Sequence, residues 1–168
     1  MLIREATPEE MAVVGEIRVA AYVAGGAMSA DSGYASTLRE LGADGKDLVL
    51  VAVIPEPGGL SDRVIGTIML QRWPNAGQVV DGPDDAEIRA LAVRAEAQGS
   101  GVGTELLDRL IERAKEMGIR ELVLCTKPEM MAAHRLYERA GFRRRPERDW
   151  SPVPGTTLLV YDLRLDGS

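Results

Sequence analysis

The stretch that decides the fold is Asp85-Ala86-Glu87-Ile88-Arg89-Ala90-Leu91-Ala92-Val93, a polar link Arg94 to Ala97, and then Gln98-Gly99-Ser100-Gly101-Val102-Gly103-Thr104-Glu105-Leu106-Leu107. It reads as a strand, a glycine turn and the opening of a helix. The strand is predicted over Ala86–Val93 and the helix over Gly103–Met117. Leu106, Leu107, Leu110, Ile111 and Ala114 fall on one face of that helix, and Glu105 and Arg109 form an i,i+4 pair on the other. The first N–H groups of a helix have no partner inside it, and the helix dipole adds partial positive charge there. Glycines remove the Cβ atoms that would hold an anion away from the backbone. A diphosphate could therefore sit on the amides of Gly99 to Thr104. A plain tight turn would use the same glycines, so the spacing has to discriminate.

A dinucleotide fingerprint requires G-x-G-x-x-G. Counted from Gly99 and Gly101, its third glycine falls on Thr104, so the pattern fails. A P-loop requires lysine before the Ser/Thr, but Gly103 runs directly into Thr104. What stands here is Gln-x-x-Gly-x-Gly, as Gln98, Gly101 and Gly103, after Leu91-Ala92-Val93.

This segment resembles the acetyl-CoA-binding motif of the GNAT family of N-acetyltransferases, [QR]-x-x-G-x-[GA]. Two further pieces match in order. Ala133-His134-Arg135-Leu136-Tyr137-Glu138-Arg139-Ala140-Gly141-Phe142 is similar to the family's A-x-x-L-Y-x-x-x-G-F helix. Glu87 lies eleven residues before Gln98, where many members carry a general base. The resemblance is clear from about Leu48 to Leu165 and weaker before it. It implies a mixed α/β (α+β) fold with a mostly antiparallel central sheet of about seven strands flanked by helices. Two central parallel strands would splay into a V. It implies acetyl-CoA as cosubstrate, its pyrophosphate on the amides of Gln98, Gly99, Ser100, Gly101, Val102, Gly103 and Thr104. The pantetheine arm would lie along backbone groups of Leu91, Ala92 and Val93, as an added strand does. Many relatives carry an asparagine at the position of Met131, six residues before Tyr137, and Met131 cannot make the same hydrogen bond.

Length and composition agree with one soluble domain over residues 1–168. Hydrophobic residues are 45% of the chain and charged residues 27%, ordinary values for a globular protein. Aromatics are 4%, so the core must be aliphatic. The net charge of −6 argues against a broad nucleic-acid surface. One cysteine, Cys125, allows no internal disulfide, and one histidine, His134, leaves no metal site. No apolar run reaches membrane-span length, and the first residues do not form a signal peptide. The expectation is a cytoplasmic protein with no membrane partner, and a homodimer is one assembly left open.

In chain order, Leu2–Ala6 reads as a strand. Thr7-Pro8-Glu9-Glu10 reads as a helix start, with Met11, Val14, Ile17 and Ala21 as the buried stripe and Gly25-Gly26 as the stop. A second helix is predicted over Asp31–Leu41. Strands follow over Leu48–Ile54 and Val64–Leu70, then a loop from Trp73 to Asp85. After the main helix come a strand Glu121–Thr126, a helix Pro128–Ala140 and a strand Thr156–Leu165. The basic run Arg143-Arg144-Arg145 reads as a solvated loop.

Acyl transfer to an amine requires a base for the nitrogen, a donor for the oxyanion and a proton for the departing thiolate. Glu87 is the candidate base, and the alternative is a surface carboxylate beside Arg89. Tyr137 is the candidate acid, and the alternative is a packed core tyrosine. His134 is expected to face solvent and pair with Glu138, and Cys125 to be buried and inert. Trp73, Trp150 and Tyr22 are candidates for an acceptor pocket, with plain packing as the alternative. The expected activity is N-acetyl transfer to a primary amine of a small molecule, a peptide N-terminus or a lysine. A non-catalytic acetyl-CoA-binding module is the competing reading.

Overall fold

β-branched apolar runs make the strands and amphipathic stretches the helices. In the computed structural model, which describes residues 1–76 and 79–165, the order is β1 (Leu2–Glu5), α1 (Met11–Ala24), α2 (Tyr34–Glu40), β2 (Leu48–Pro55), β3 (Asp62–Arg72), β4 (Asp85–Val93), α3 (Val102–Glu116), β5 (Glu121–Thr126), α4 (Met131–Arg139), β6 (Arg143–Arg144), β7 (Trp150–Val153) and β8 (Thr156–Arg164). Gly77 and Gln78, in the loop expected between Trp73 and Asp85, lie outside the described residues. No helix among the described residues is long and apolar enough to cross a membrane.

The sheet order is β1-β2-β3-β4-β5-β8-β6, with β7 pairing β8. β4 and β5 run parallel, in register from Asp85↔Glu121 to Ile88↔Leu124. Parallel neighbours need a crossover, which α3 supplies. β1 is antiparallel to β2, and β8 is antiparallel to β5, β6 and β7. The expected mixed, mostly antiparallel sheet is therefore present, with eight strands among the described residues rather than about seven. The additions are β6 and β7. Neither has the apolar alternation that marks a strand, and each exists because β8 offers it a ladder.

Two compact units divide the chain: Met1–Met69 with Ala90–Leu110, and Leu70–Arg89 with the chain from Ile111 onward. In the first unit, Val14 and Ile17 of α1 pack with Val49, Val51, Val53, Val64, Met69 and Ala92. Glu10 holds the entry to α1. Its carboxylate accepts from the Thr7 N–H at 2.9 Å and from the Arg4 guanidinium at 2.8 and 2.9 Å. These bonds, those from Arg4 first, lower the Glu10 carboxyl to about 2. α2 begins at Tyr34 rather than Asp31. Side chains take the local bonds instead, from Ser29 Oγ to Asp31 at 2.8 Å and from the Tyr34 N–H to Ser32 Oγ at 3.2 Å.

α1 and α2 meet through two features absent from the apolar stripe. A Cβ on Gly15 would stand 2.9 Å from the Arg39 carbonyl oxygen, so only glycine permits this approach. Arg18 is fully buried. Its guanidinium donates to the carbonyls of Leu38 at 3.1 Å and Leu41 at 2.7 Å, which close the last turn of α2.

In the second unit, Ala76, Val79, Val80, Val123 and Val160 form a cluster against which Cys125 and Trp150 pack. The basic run after α4 is not the solvated loop expected. Arg144 makes a two-pronged contact with Asp149 at 2.7 and 2.6 Å, and Arg145 pairs with buried Asp162 at 2.9 Å. Arg148 reaches Glu121 at 3.2 Å, Asp162 at 3.4 Å and the Val79 carbonyl at 2.7 Å. Arg145 finds its buried partner seventeen residues on, so the run read locally looks solvated.

Replacing Arg18 leaves the α2 carbonyls without their donor. Arg18→Met is expected to lower stability by about 2–5 kcal/mol, the cost of leaving two such acceptors unmet, in urea unfolding at unchanged slope. A loss below about 1 kcal/mol would mean that water replaces the guanidinium.

Candidate active site

The glycine turn belongs to the first unit and is shaped by local bonds. Ala95–Ala97 forms a 3-10 turn. Ser100 Oγ donates to the Ala97 carbonyl at 2.6 Å, and Gln98 Nε2 donates to the Val93 carbonyl at 3.2 Å. Gly99 and Gly101 have φ of +83° and +89°, a region side chains rarely occupy, and nothing stands within 4 Å of the Cβ either would carry. The side of the turn on which either Cβ would stand is therefore open. α3 starts at Val102, and its Glu105 N–H donates to the Gly101 carbonyl at 3.0 Å. The N–H groups of Val102, Gly103 and Thr104 precede that bond and, as at any helix start, have no acceptor within the helix.

Leu91 and Val93 are half-buried and Ala92 is buried. The strand end is tied down by Arg94, whose N–H donates to the Ile65 carbonyl at 2.9 Å and whose Nε donates to Val64 at 2.7 Å. Gly66 lets the opening of α3 pack close, since a Cβ there would stand 3.0 Å from Val102 Cγ1 and from Leu106 Cδ1. Ala90 has φ of +56°, the one non-glycine residue at positive φ among those described. Neither Gly66 nor Ala90 was singled out in the sequence. An alanine carries no signature of a left-handed backbone.

The second unit holds both proton-handling candidates. Glu87 is not the surface carboxylate of the alternative reading. Its side chain is 12% exposed, and its Oε2 lies 4.0 Å from Arg89 Nε. Burial raises its pKa above the ordinary value, and the Arg89 charge offsets only part of the rise. Arg89 in turn donates from Nη1 to Gln71 Oε1 at 3.0 Å.

Tyr137 lies in α4 with its side chain buried. Its ring stands 6.0 Å from that of Phe142 and 6.2 Å from that of Tyr161. The Phe142 N–H donates to the Tyr137 carbonyl at 3.0 Å, closing α4 at Gly141, whose φ is +99°. The A-x-x-L-Y-x-x-x-G-F pattern therefore has a local cause: one glycine cap folds Phe142 back under Tyr137.

His134 does not pair with Glu138. Its Nε2 lies 3.0 Å from the Lys127 carbonyl, and Glu138 accepts from the Tyr161 hydroxyl at 3.0 Å. Cys125 is shielded, and burial pushes its thiol up to about 11. The Trp150 indole N–H donates to its sulfur at 3.4 Å. Trp150 is thus part of the packing around Cys125, Tyr22 packs on the cluster of Val19, Ala35, Leu38 and Ala90, and Trp73 is 47% exposed. Met131 is also exposed, at the start of α4.

Glu87 makes a pH-dependent demand on stability. A carboxyl whose pKa rises on folding contributes stability below its unfolded value, near 4.5, and that contribution is lost as pH rises through the folded value. Gln at this position stays neutral. Glu87→Gln is therefore expected to melt higher than wild type at pH 7–8, the difference shrinking as pH falls toward 4.5. Melting temperatures across that range check it, and a difference independent of pH would contradict it.

Residues 32–142 match the family model described as Acetyltransferase (GNAT) family. Over 98 residues the chain is 34% identical to N-acetylaspartate synthetase of Danio rerio, across 58% of this chain and 32% of that protein. Over 103 residues it is 33% identical to N-alpha-acetyltransferase 30 of Schizosaccharomyces pombe, across 61% and 66%. The matched stretches span about a third to two thirds of the curated relatives' own length. Among solved structures, an acetyltransferase from Salmonella typhimurium with its cofactor acetyl-CoA superposes with a TM-score of 0.68 at 25% identity, over all of this chain and 95% of that one. A family model that matches most of the chain, a fold shared over its whole length and a glycine turn opening α3 lead to one conclusion: this protein belongs to the GNAT family of acetyltransferases.

Proposed function

We propose that residues 1–168 form one acyltransferase domain that moves an acetyl group from acetyl-CoA to a primary amine by direct transfer. The observation that carries this reading is the backbone cradle at Gly99 and Gly101, open on the side where a Cβ would stand and followed at once by the start of α3. Its chemistry fits a pyrophosphate: N–H donors, partial positive charge from the helix, and no side chain in the way. The Salmonella relative was solved with acetyl-CoA, which supports the same cosubstrate here. Gln98, Gly99, Ser100, Gly101, Val102, Gly103 and Thr104 would hold the phosphates, and the backbone of Leu91, Ala92 and Val93 the pantetheine arm.

When bound, acetyl-CoA supplies an activated thioester whose acetyl carbon bonds to the acceptor nitrogen as its C–S bond breaks. The protein's share is to position the amine and manage two protons. Glu87 accepts the proton that the nitrogen sheds. Its burial makes it a stronger base than an exposed carboxylate, because the charged form is poorly solvated. The Tyr137 phenol donates the proton that the leaving sulfur requires, since a thiol of ordinary pKa near 8.5 is mostly protonated at neutral pH. In this reading Cys125 carries no acyl group: it packs against Trp150, and burial raises its thiol pKa.

The experiment that tests the reading is free-thiol release from acetyl-CoA with a panel of primary amines. Acetyl-CoA binding without release for any amine would mark a binding module instead. For the cradle, Gly101→Asp is expected to abolish acetyl-CoA binding by calorimetry in a folded protein, by placing a carboxylate where the pyrophosphate would sit. Gly45→Asp is the control for backbone strain, since Gly45 also has positive φ, at +75°, and open space. Equal affinity in the two variants would refute the cradle.

For the acid, Tyr137→Phe keeps the ring and its packing. Turnover is expected to fall by about 10²–10⁴ with acetyl-CoA affinity nearly unchanged. Unchanged turnover where chemistry limits the rate would mean that water supplies the proton.

A further inference from the structure

Glu87 and Arg89 stand two residues apart on β4, where strand alternation puts both on the same half-buried face. Their side chains are 12% and 27% exposed, so each has lost most of its water and can still be reached. They touch only loosely. The 4.0 Å between Arg89 Nε and Glu87 Oε2 is beyond hydrogen-bond range. Arg89 is aimed from the side by Gln71, a buried residue at the end of β3 that accepts from its Nη1 at 3.0 Å. The charges of Glu87, Arg89 and Arg148 all act on the Cys125 thiol, which the Trp150 indole contacts. The pair is therefore an anion beside a cation that Gln71 orients, with Cys125 and Trp150 close by.

We propose that the amine acceptor is a free amino acid, whose amino group docks on Glu87 and whose carboxylate is held by Arg89. This rests on Glu87 serving as the base of the acyl transfer described above. A zwitterion is the electrostatic complement of the Glu87–Arg89 pair, and in a dehydrated site that match is strong. Distance narrows the class. Charge-assisted contacts run at about 2.8 Å, so an acceptor bridging two heads this close needs its nitrogen and carboxylate oxygen roughly 3–5 Å apart. That is an amino group and a carboxylate on the same or neighbouring carbons. A peptide N-terminus presents a neutral amide at that place. A phosphorylated amino sugar or a lysine side chain within a protein puts any anion at another distance. Arg89 is thus a specificity-determining residue, and Gln71 positions it.

The test compares matched acceptors with the full chain and acetyl-CoA, read as free thiol. Each set is an amino acid, its amide and the amine lacking the carboxyl carbon, such as leucine, leucinamide and isoamylamine. Amides have the more acidic ammonium and hence more free amine at neutral pH, so without carboxylate recognition they should react better. Wild type is expected to favour the acid over the amide in kcat/KM by about ten- to a hundredfold, the worth of a hydrogen bond to a charged group. Arg89→Gln should bring that ratio close to or below one, mainly through a higher KM for the acid, and Arg89→Lys should restore part of it. A ratio between substrates does not depend on how much of a variant is folded. Amides or simple amines reacting as well as the acids in wild type would overturn the proposal and leave the acetyl-transfer reading intact. A preference that survives Arg89→Gln would remove Arg89 from the role. Thiol release with none of the amines would overturn the transfer reading and this inference with it.

Discussion

The alternation of β4 is the constraint on which the chemistry proposed for this protein depends. From Ala86 to Ala92 every second side chain is buried, and the residues between are half-buried. The buried positions are Ala, Ile, Ala and Ala, small enough for close packing. The other face is left to Glu87 and Arg89, which could not both point into the sheet's apolar layer without stranding charge there. A slip of one residue would exchange the two faces and put both charges in the core. Register with β5, from Asp85↔Glu121 to Ile88↔Leu124, guards against that slip. One residue past Arg89 the backbone turns left-handed at Ala90. This conformation costs an alanine about 1–2 kcal/mol and persists because its methyl is packed among Val19, Ala35 and Leu38. Strain held in place by packing is common beside functional groups.

Arginine carries most of the polar organisation elsewhere. Arg18 closes α2 from the core of the first unit, and Arg94 ties the end of β4 to β3. In the second unit, Arg145 and Arg148 satisfy an acid or a carbonyl from another part of the chain, and Arg144 holds Asp149 five residues on. Lysine would serve poorly at these positions, because several of the contacts use two prongs of one planar head. The chain's net charge of −6 therefore coexists with an internal arginine framework.

The readings that succeeded from sequence concern short-range causes. The glycine turn and the amphipathic face of α3 are written within a few residues. Thr7 with Glu10 at the entry to α1, and Gly141 closing α4, are likewise local. The readings that failed concern partners. His134 was expected beside Glu138 because they lie one helical turn apart. Instead the Lys127 carbonyl lies against His134, and Glu138 accepts from Tyr161 on β8. The basic run after α4 was read as solvated because Asp162 is far along the chain. Arg18 lies beside the apolar stripe of α1, and no rule of periodicity announces that two carbonyls some twenty residues later need a donor.

By itself, then, the sequence determined the order of the elements other than β6 and β7, the glycine turn that opens α3, the family and the position of a carboxylate in the central strand. Each follows from periodicity or from backbone geometry that only certain residues tolerate. Tertiary structure alone decided that Glu87 would be stripped of water, that Arg89 would stand 4.0 Å from it and that Gln71, eighteen residues earlier, would hold Arg89 in place. It also decided that the Trp150 indole would donate to the Cys125 sulfur. Desolvation and the aim of a side chain are properties of the neighbours that packing supplies. Those neighbours come from segments whose meeting no local pattern records.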